Sequence, residues 1–146
     1  MTEARKLGKE VIDRCNLTVL LEPHQEDLAE FLAKNKVHII ASLPCYLEDN
    51  VDGQRGDQVF QRSIRGLQLL NEQGYGREGS GLVLDLVYNP TGFGLAPPAS
   101  KLSDAYVSTF HLPGLFSELG RERRVNFVFE YSSMVCFVVA VGTSEN

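Results

Sequence analysis

The chain has 146 residues, 43% hydrophobic and 23% charged, enough for one folded domain and unlike a disordered composition. Nineteen acidic against fourteen basic side chains leave a formal charge of −5, the wrong sign for a broad nucleic-acid surface. The one compact basic cluster, Arg121, Arg123 and Arg124, is interrupted by Glu122 and reads as a solvated face.

Three cysteines, Cys15, Cys45 and Cys136, are widely separated in sequence. An odd count without CxxC spacing speaks against a disulfide framework and against a locally encoded zinc site. The opening stretch MTEARKLGKEVIDR is charged and helix-like, with no apolar signal core, so the expected compartment is the reducing cytoplasm. Residues 125–141 are strongly apolar but contain Asn126, Glu130, Ser132 and Ser133, which makes a poor membrane span and a better strand. Neither a nucleic acid nor a membrane is an expected partner.

Residues 2–9 read as the end of a helix closed by Gly8. Residues 11–21 then hold a short strand that gives way to a loop at DRCN. Residues 24–35 carry Leu28, Phe31 and Leu32 at helical spacing, with Pro23 suited to the entry and Asn35 to the exit. The run 37–43 is apolar and of strand length, and Pro44 stops it. LEDNVDGQRGD reads as a polar loop leading to a second amphipathic helix over 58–73, where Phe60, Ile64, Leu67 and Leu70 keep helical spacing and Gly74 terminates. After the glycine-rich segment GYGREGSG comes a third apolar strand, 82–88.

Strand–helix–strand–helix–strand with continuous apolar strands is the pattern of a parallel sheet, so the predicted class is α/β. Functional residues in such folds gather at the carboxyl ends of the strands, here Asp13 to Asn16, Ser42 to Cys45, and Asn89 with Pro90. Beyond residue 90 the rhythm fails. TGFGLAPPAS is a Gly/Pro loop, 101–120 gives only weak helix signals, and the remainder reads as one or two β segments with a polar end. Three parallel strands alone would leave both outer edges unpaired, so the pattern reads as part of a larger sheet or barrel.

No Walker phosphate loop, GxSxG elbow or HExxH motif is present. His24, His38 and His111 are dispersed and read as structural. Arg55, in DGQRGD between a strand end and a helix, either offers a fork of donors to a ligand carboxylate or phosphate or is a solvated loop residue. Ser42 either hydrogen-bonds toward an occupant of the barrel mouth or is a small residue that lets Pro44 turn the chain. Asn16 and Asn89 hold equivalent places after the first and third strands, and Asx turns explain both equally well. Cys15 and Cys45 are two thiols, too few for an iron–sulfur cluster, and buried inert cysteine is the commoner case.

The combination VIDRCNLT, ASLPCY, QRGD-VF-RSI, LQ-LN-GYG and L-LVYNP resembles the middle of a radical S-adenosylmethionine enzyme, of the radical SAM/Cys-rich group associated with arsenosugar biosynthesis. The resemblance covers residues 8–93. It implies strands three to five, with their helices, of a partial (β/α)6 TIM-like barrel over 1–93, followed by a divergent, irregular or β-rich tail over 94–146. The implied cofactors are S-adenosyl-L-methionine and a [4Fe–4S] cluster, and the implied chemistry is reductive cleavage of the sulfonium and adenosyl transfer to a methylated arsenical. Position by position, the resemblance places Asn16 near the methionine part of the cofactor and Ser42 at its amino or carboxylate group. Arg55 falls against the carboxylate and Asn89 toward the adenosyl end. The CxxxCxxC that holds the cluster does not occur in these 146 residues, and neither does the family's glycine-rich segment after its second strand. The chain alone is therefore expected to be catalytically inert. The alternative expectation is a noncatalytic assembly module that completes a barrel with a second, complementing chain.

Overall fold

The computed structural model describes residues 1–77, 79–88 and 97–109, with the short segments 126–127, 131–132 and 135–136. Its centre is a parallel sheet of β1 (Ile12–Cys15), β2 (His38–Ser42), β3 (Leu84–Val87) and β4 (Asn126–Phe127), in spatial order β1-β2-β3-β4. The class is α/β, as the continuous apolar strands require. Helix α1 (Thr2–Lys6) precedes β1, and between the strands lie a 3-10 helix Leu17–Leu21, α2 (Leu28–Lys34), α3 (Glu48–Arg55), α4 (Val59–Glu72) and α5 (Ala99–Thr109). A separate antiparallel pair joins β5 (Tyr131–Ser132) to β6 (Val135–Cys136).

Register divides the sheet into two faces. Cys15 pairs with Ala41, Ile39 with Leu84, and Ala41 with Leu86, so these side chains share one face. That face is the core: Cys15, Ile39, Ala41 and Leu86 join Leu17, Leu20, Leu32, Leu67 and Leu70 from the helical layer in one apolar cluster. Ile12, Arg14, His38, Ile40, Ser42, Asp85 and Val87 form the opposite face.

Helix α4 is the main contact layer. Phe60, Ile64, Leu67 and Leu70 are buried along one stripe, and the helix lies against the 3-10 helix, α2 and α3. Gly66 makes the closest approach, since a Cβ there would stand 2.5 Å from the Leu17 carbonyl oxygen. The carboxyl end of α4 is tied down by two buried bonds. Asn71 Nδ2 donates to the Tyr75 carbonyl (3.1 Å), and Tyr75 Oη donates to the Val37 carbonyl (2.8 Å) beside β2.

Several sequence expectations change. The segment read as a polar loop, LEDNVDGQRGD, folds largely as α3, because Glu48 and Asp49 favour the positive end of a helix and Arg55 the negative end. It presents only Val51 to the core, too little apolar content to show a helical stripe. Asp52 then caps α4, accepting from Gln58 N (2.9 Å) and Phe60 N (2.8 Å), two amides without partners in the helix. The helix expected over 24–35 begins only at Leu28, since His24 takes φ +68° and residues 23–27 turn. DRC belongs to β1 rather than to a loop, and the following residues form a 3-10 helix. The outer edge of β3, expected to be open, is paired by β4 along Asp85 and Leu86. Of the weak helical signal over 101–120, residues 101–109 belong to α5, anchored by buried Leu102 and Tyr106, and 110–120 lie outside the described residues. The basic cluster Arg121–Arg124, His111 and most of the Gly/Pro loop lie outside the described residues.

Two glycines give opposite tests. Gly66→Ala should destabilise the fold by about 1–3 kcal/mol, because Leu17 backbone must move. Gly53→Ala, in α3 with nothing within 4 Å of a new Cβ, should stabilise by about 0.4–1 kcal/mol. Urea unfolding of both variants checks the pair, and a neutral Gly66→Ala would contradict the packing.

Candidate functional site

Parallel register brings the strand exits to one level. Cys15 pairs with Ala41, so Asn16 leaves β1 beside Ser42, which in turn pairs with Val87 at the end of β3. The carboxyl end of the sheet is therefore the place where the residues singled out from sequence come together.

Asn16 is exposed, and its Oδ1 accepts from Thr18 N (3.4 Å), capping the 3-10 helix. The cap accounts for the residue type and leaves the Nδ2 amide facing outward without a bond among the described residues. Ser42 is half-buried as the last residue of β2, and its hydroxyl makes no hydrogen bond among the described residues. Arg55 is not a loop residue but the last residue of α3, exposed and without a partner among the described residues. Partial desolvation lowers its pKa from the usual value, yet a guanidinium stays charged at neutral pH. No hydrogen bond joins Arg55 to Asn16 or Ser42. Asn89 lies outside the described residues.

The thiols are structural in their surroundings. Cys15 is buried against the helical layer, and burial, with the Asp13 carboxylate nearby, pushes its pKa up to about 12. Cys45 is also buried, and its sulfur accepts from Leu47 N (3.5 Å) and Asn50 Nδ2 (3.4 Å). Both are free cysteines. Among the described residues no group of three or more His, Cys, Asp or Glu side chains is placed to hold a metal ion. An iron–sulfur cluster requires three or four thiolates. Two separated, buried thiols, one held protonated, do not fit that requirement.

Behind the strand exits sits an aromatic group that sequence reading passed over. Tyr106 Oη donates to the Leu43 carbonyl (2.8 Å), and its ring meets Tyr46 edge-on at 5.6 Å. Burial, with Cys45, Tyr88 and Tyr46 close by, raises the Tyr106 phenol well above its ordinary range. Tyr88 is raised in the same direction, chiefly by burial. Tyr106 is therefore a neutral donor, and Tyr88 is an apolar wall beside it. Their signal was faint because Tyr46, Tyr88 and Tyr106 come from three distant segments. His38 was expected to be structural, and it makes a half-buried contact: Nε2 lies 2.7 Å from Asp85 Oδ2. The sign of that partner was a lone carboxylate inside the apolar run 82–88.

No family model, curated protein or solved structure matches the chain. Among the described residues, no helix is long and apolar enough to cross a membrane.

The raised phenol and thiol values fix a pH dependence. Above pH 9.0 the unfolded chain releases the Cys15 proton, and above 10.0 the Tyr75 proton, while the native chain keeps both until about 12. The native state then binds more protons than the unfolded one, so stability is full below pH 9 and falls as pH rises toward 12. Urea unfolding at pH 8 and 10 should show the loss, and Cys15→Ala should reduce its slope. An unchanged slope in that variant would contradict the buried, protonated thiol.

Proposed function

We propose that this chain is the central wall of a radical S-adenosylmethionine enzyme barrel and that, by itself, it contributes cofactor-binding groups without catalysing the reaction. The observation that carries the reading is the sheet order. Strands that follow one another in sequence and in space, all parallel, must step in the same direction at each crossover. Right-handed crossovers then put every helix on one face, as in a barrel wall, whereas doubly wound sheets reverse their order. The single apolar face of Cys15, Ile39, Ala41 and Leu86 agrees with that arrangement. The motif resemblance supplies the family, and with it the proposed substrate, a methylated arsenical.

In this reading Ser42 and Asn16 would meet the amino-acid end of S-adenosylmethionine at the strand exits. Arg55, an unpaired guanidinium at the end of α3, would pair with its carboxylate, and Asn89 would lie toward the adenosyl end. These groups amount to a few hydrogen bonds, each about 1 kcal/mol net, which do not hold a flexible ligand at an open edge. The cluster that would supply the electron for sulfonium cleavage has no ligand set among these residues. Binding elements without the redox centre leave the chain inert.

A second reading is supported by the other edge of the sheet. β1 has no strand beyond it among the described residues, and Ile12 on it is 53% exposed. An open parallel edge accepts a strand from a second chain, so the protein also suits an assembly role in which another polypeptide completes the barrel.

Anaerobic reconstitution with iron and sulfide should yield no stoichiometric cluster and no 5′-deoxyadenosine from S-adenosylmethionine. A chain that assembles four irons and cleaves the cofactor would overturn the inert reading. Size-exclusion chromatography separates the two roles, since an assembly module should elute as a defined complex with its complementing chain.

A further inference from the structure

The opposite end of the sheet, where the strands begin, holds a cavity of about 310 Å³. Its walls come from three entries to the sheet: Arg5, Gly8 and Glu10 before β1, Lys36 and His38 at the start of β2, and Gly81 and Val83 before β3. The volume lies at the lower end of the roughly 300–1,000 Å³ found for small-molecule pockets.

Charge in this cavity runs against the rest of the molecule. The chain carries −5, yet the walls bring two permanent cations, Arg5 and Lys36, against one carboxylate, Glu10. Neither cation makes an ion pair with a carboxylate among the described residues. Arg5 donates to the Lys9 carbonyl (3.1 Å), and Lys36 has no partner among the described residues.

His38 lines the same cavity and is held by a buried group. Its Nε2 lies 2.7 Å from Asp85 Oδ2, and the Asp85 side chain is 5% exposed. A carboxylate only accepts, so Nε2 is the donor in this contact. That leaves Nδ1, whose nearest carboxylate oxygen, Glu10 Oε1, stands 3.6 Å away, too far for a hydrogen bond. Gly8 and Gly81 both take positive φ, +71° and +70°, and a Cβ at either would meet nothing within 4 Å. The wall is open at both.

We propose that this cavity binds a small phosphate-bearing anion, gripped by Arg5 and Lys36 beside the His38 ring that Asp85 holds in place. A cation is disfavoured because Arg5 and Lys36 outnumber Glu10 among the lining charges, and Asp85 Oδ2 is already engaged by His38. A phosphate group fits better than a carboxylate because it offers more than two acceptor oxygens, enough for the remaining Arg5 N–H groups and the Lys36 ammonium together. The shared chemistry is a phosphate dianion or monoanion, whether free or at the end of a phosphomonoester. The site is independent of the S-adenosylmethionine reading, since it uses none of Asn16, Ser42, Arg55 or Asn89.

The test is a nuclear magnetic resonance titration of the full-length labelled chain with sodium phosphate, against sodium chloride at matched ionic strength. Saturable shifts of the His38 ring and the Gly8 and Gly81 amides are expected. Arg5→Gln and Lys36→Gln, both at positions outside the core, should each weaken binding about tenfold through loss of one charge-assisted contact. Glycerol phosphate binding more tightly than inorganic phosphate identifies a phosphomonoester site, and equal binding identifies a site for the bare anion. No saturable shift with either probe, or an unchanged shift in the Arg5→Gln, Lys36→Gln double variant, overturns the proposal.

Discussion

The parallel pairing of β2 on both sides is the constraint from which the rest of the architecture follows. His38 to Ser42 bond to β1 along one edge and β3 along the other, both running the same way. No tight turn can join such strands, so each connection must cross the sheet through helical structure. Chain order equal to sheet order makes those crossings step in one direction, and one face collects the helices. Ile39 and Ala41 on that face are fully buried. The close contact of Gly66 with the Leu17 backbone shows how near the helical layer comes. It lets α4 lie against the 3-10 helix that β1 leads into, and only a residue without a side chain permits that distance.

The same pairing divides the chemistry between two ends. At the carboxyl end, register aligns Asn16, Ser42 and the exit of β3, and buried phenols close the space behind them. At the amino end, the turns before three successive strands converge on Arg5, Lys36, Glu10 and His38. Asp85 links the sheet interior to this second end through its contact with the imidazole. Cys15 and Cys45 belong to neither as reactive groups. One is held protonated by burial, and the other spends its sulfur on two N–H donors.

Much of the fold was legible in the sequence because burial on one or both faces leaves a strong pattern. The runs around β2 and β3 and the stripe of α4 were read within a residue or two of their ends. What escaped was structure specified by polar atoms. Helix α3 rests on end charges and on Asp52 serving the next helix, features without apolar periodicity. Asn16 and Arg55 were visible as residue types, but only coordinates place Arg55 at a helix end and commit the Asn16 oxygen to a cap. The tyrosine group and the His38–Asp85 contact join residues dozens of positions apart, which no local spacing encodes. The pairing of β4 with β3 is of the same long-range kind.

The central proposal is that this wall is part of a radical S-adenosylmethionine barrel. Full-length sequencing of the transcript, read through both ends, tests it most directly. The account predicts an upstream in-frame segment with a CxxxCxxC loop and two further strand–helix units ahead of β1. A message with an in-frame stop just before Met1 and no such motif would contradict it, and would leave the assembly role as the surviving reading.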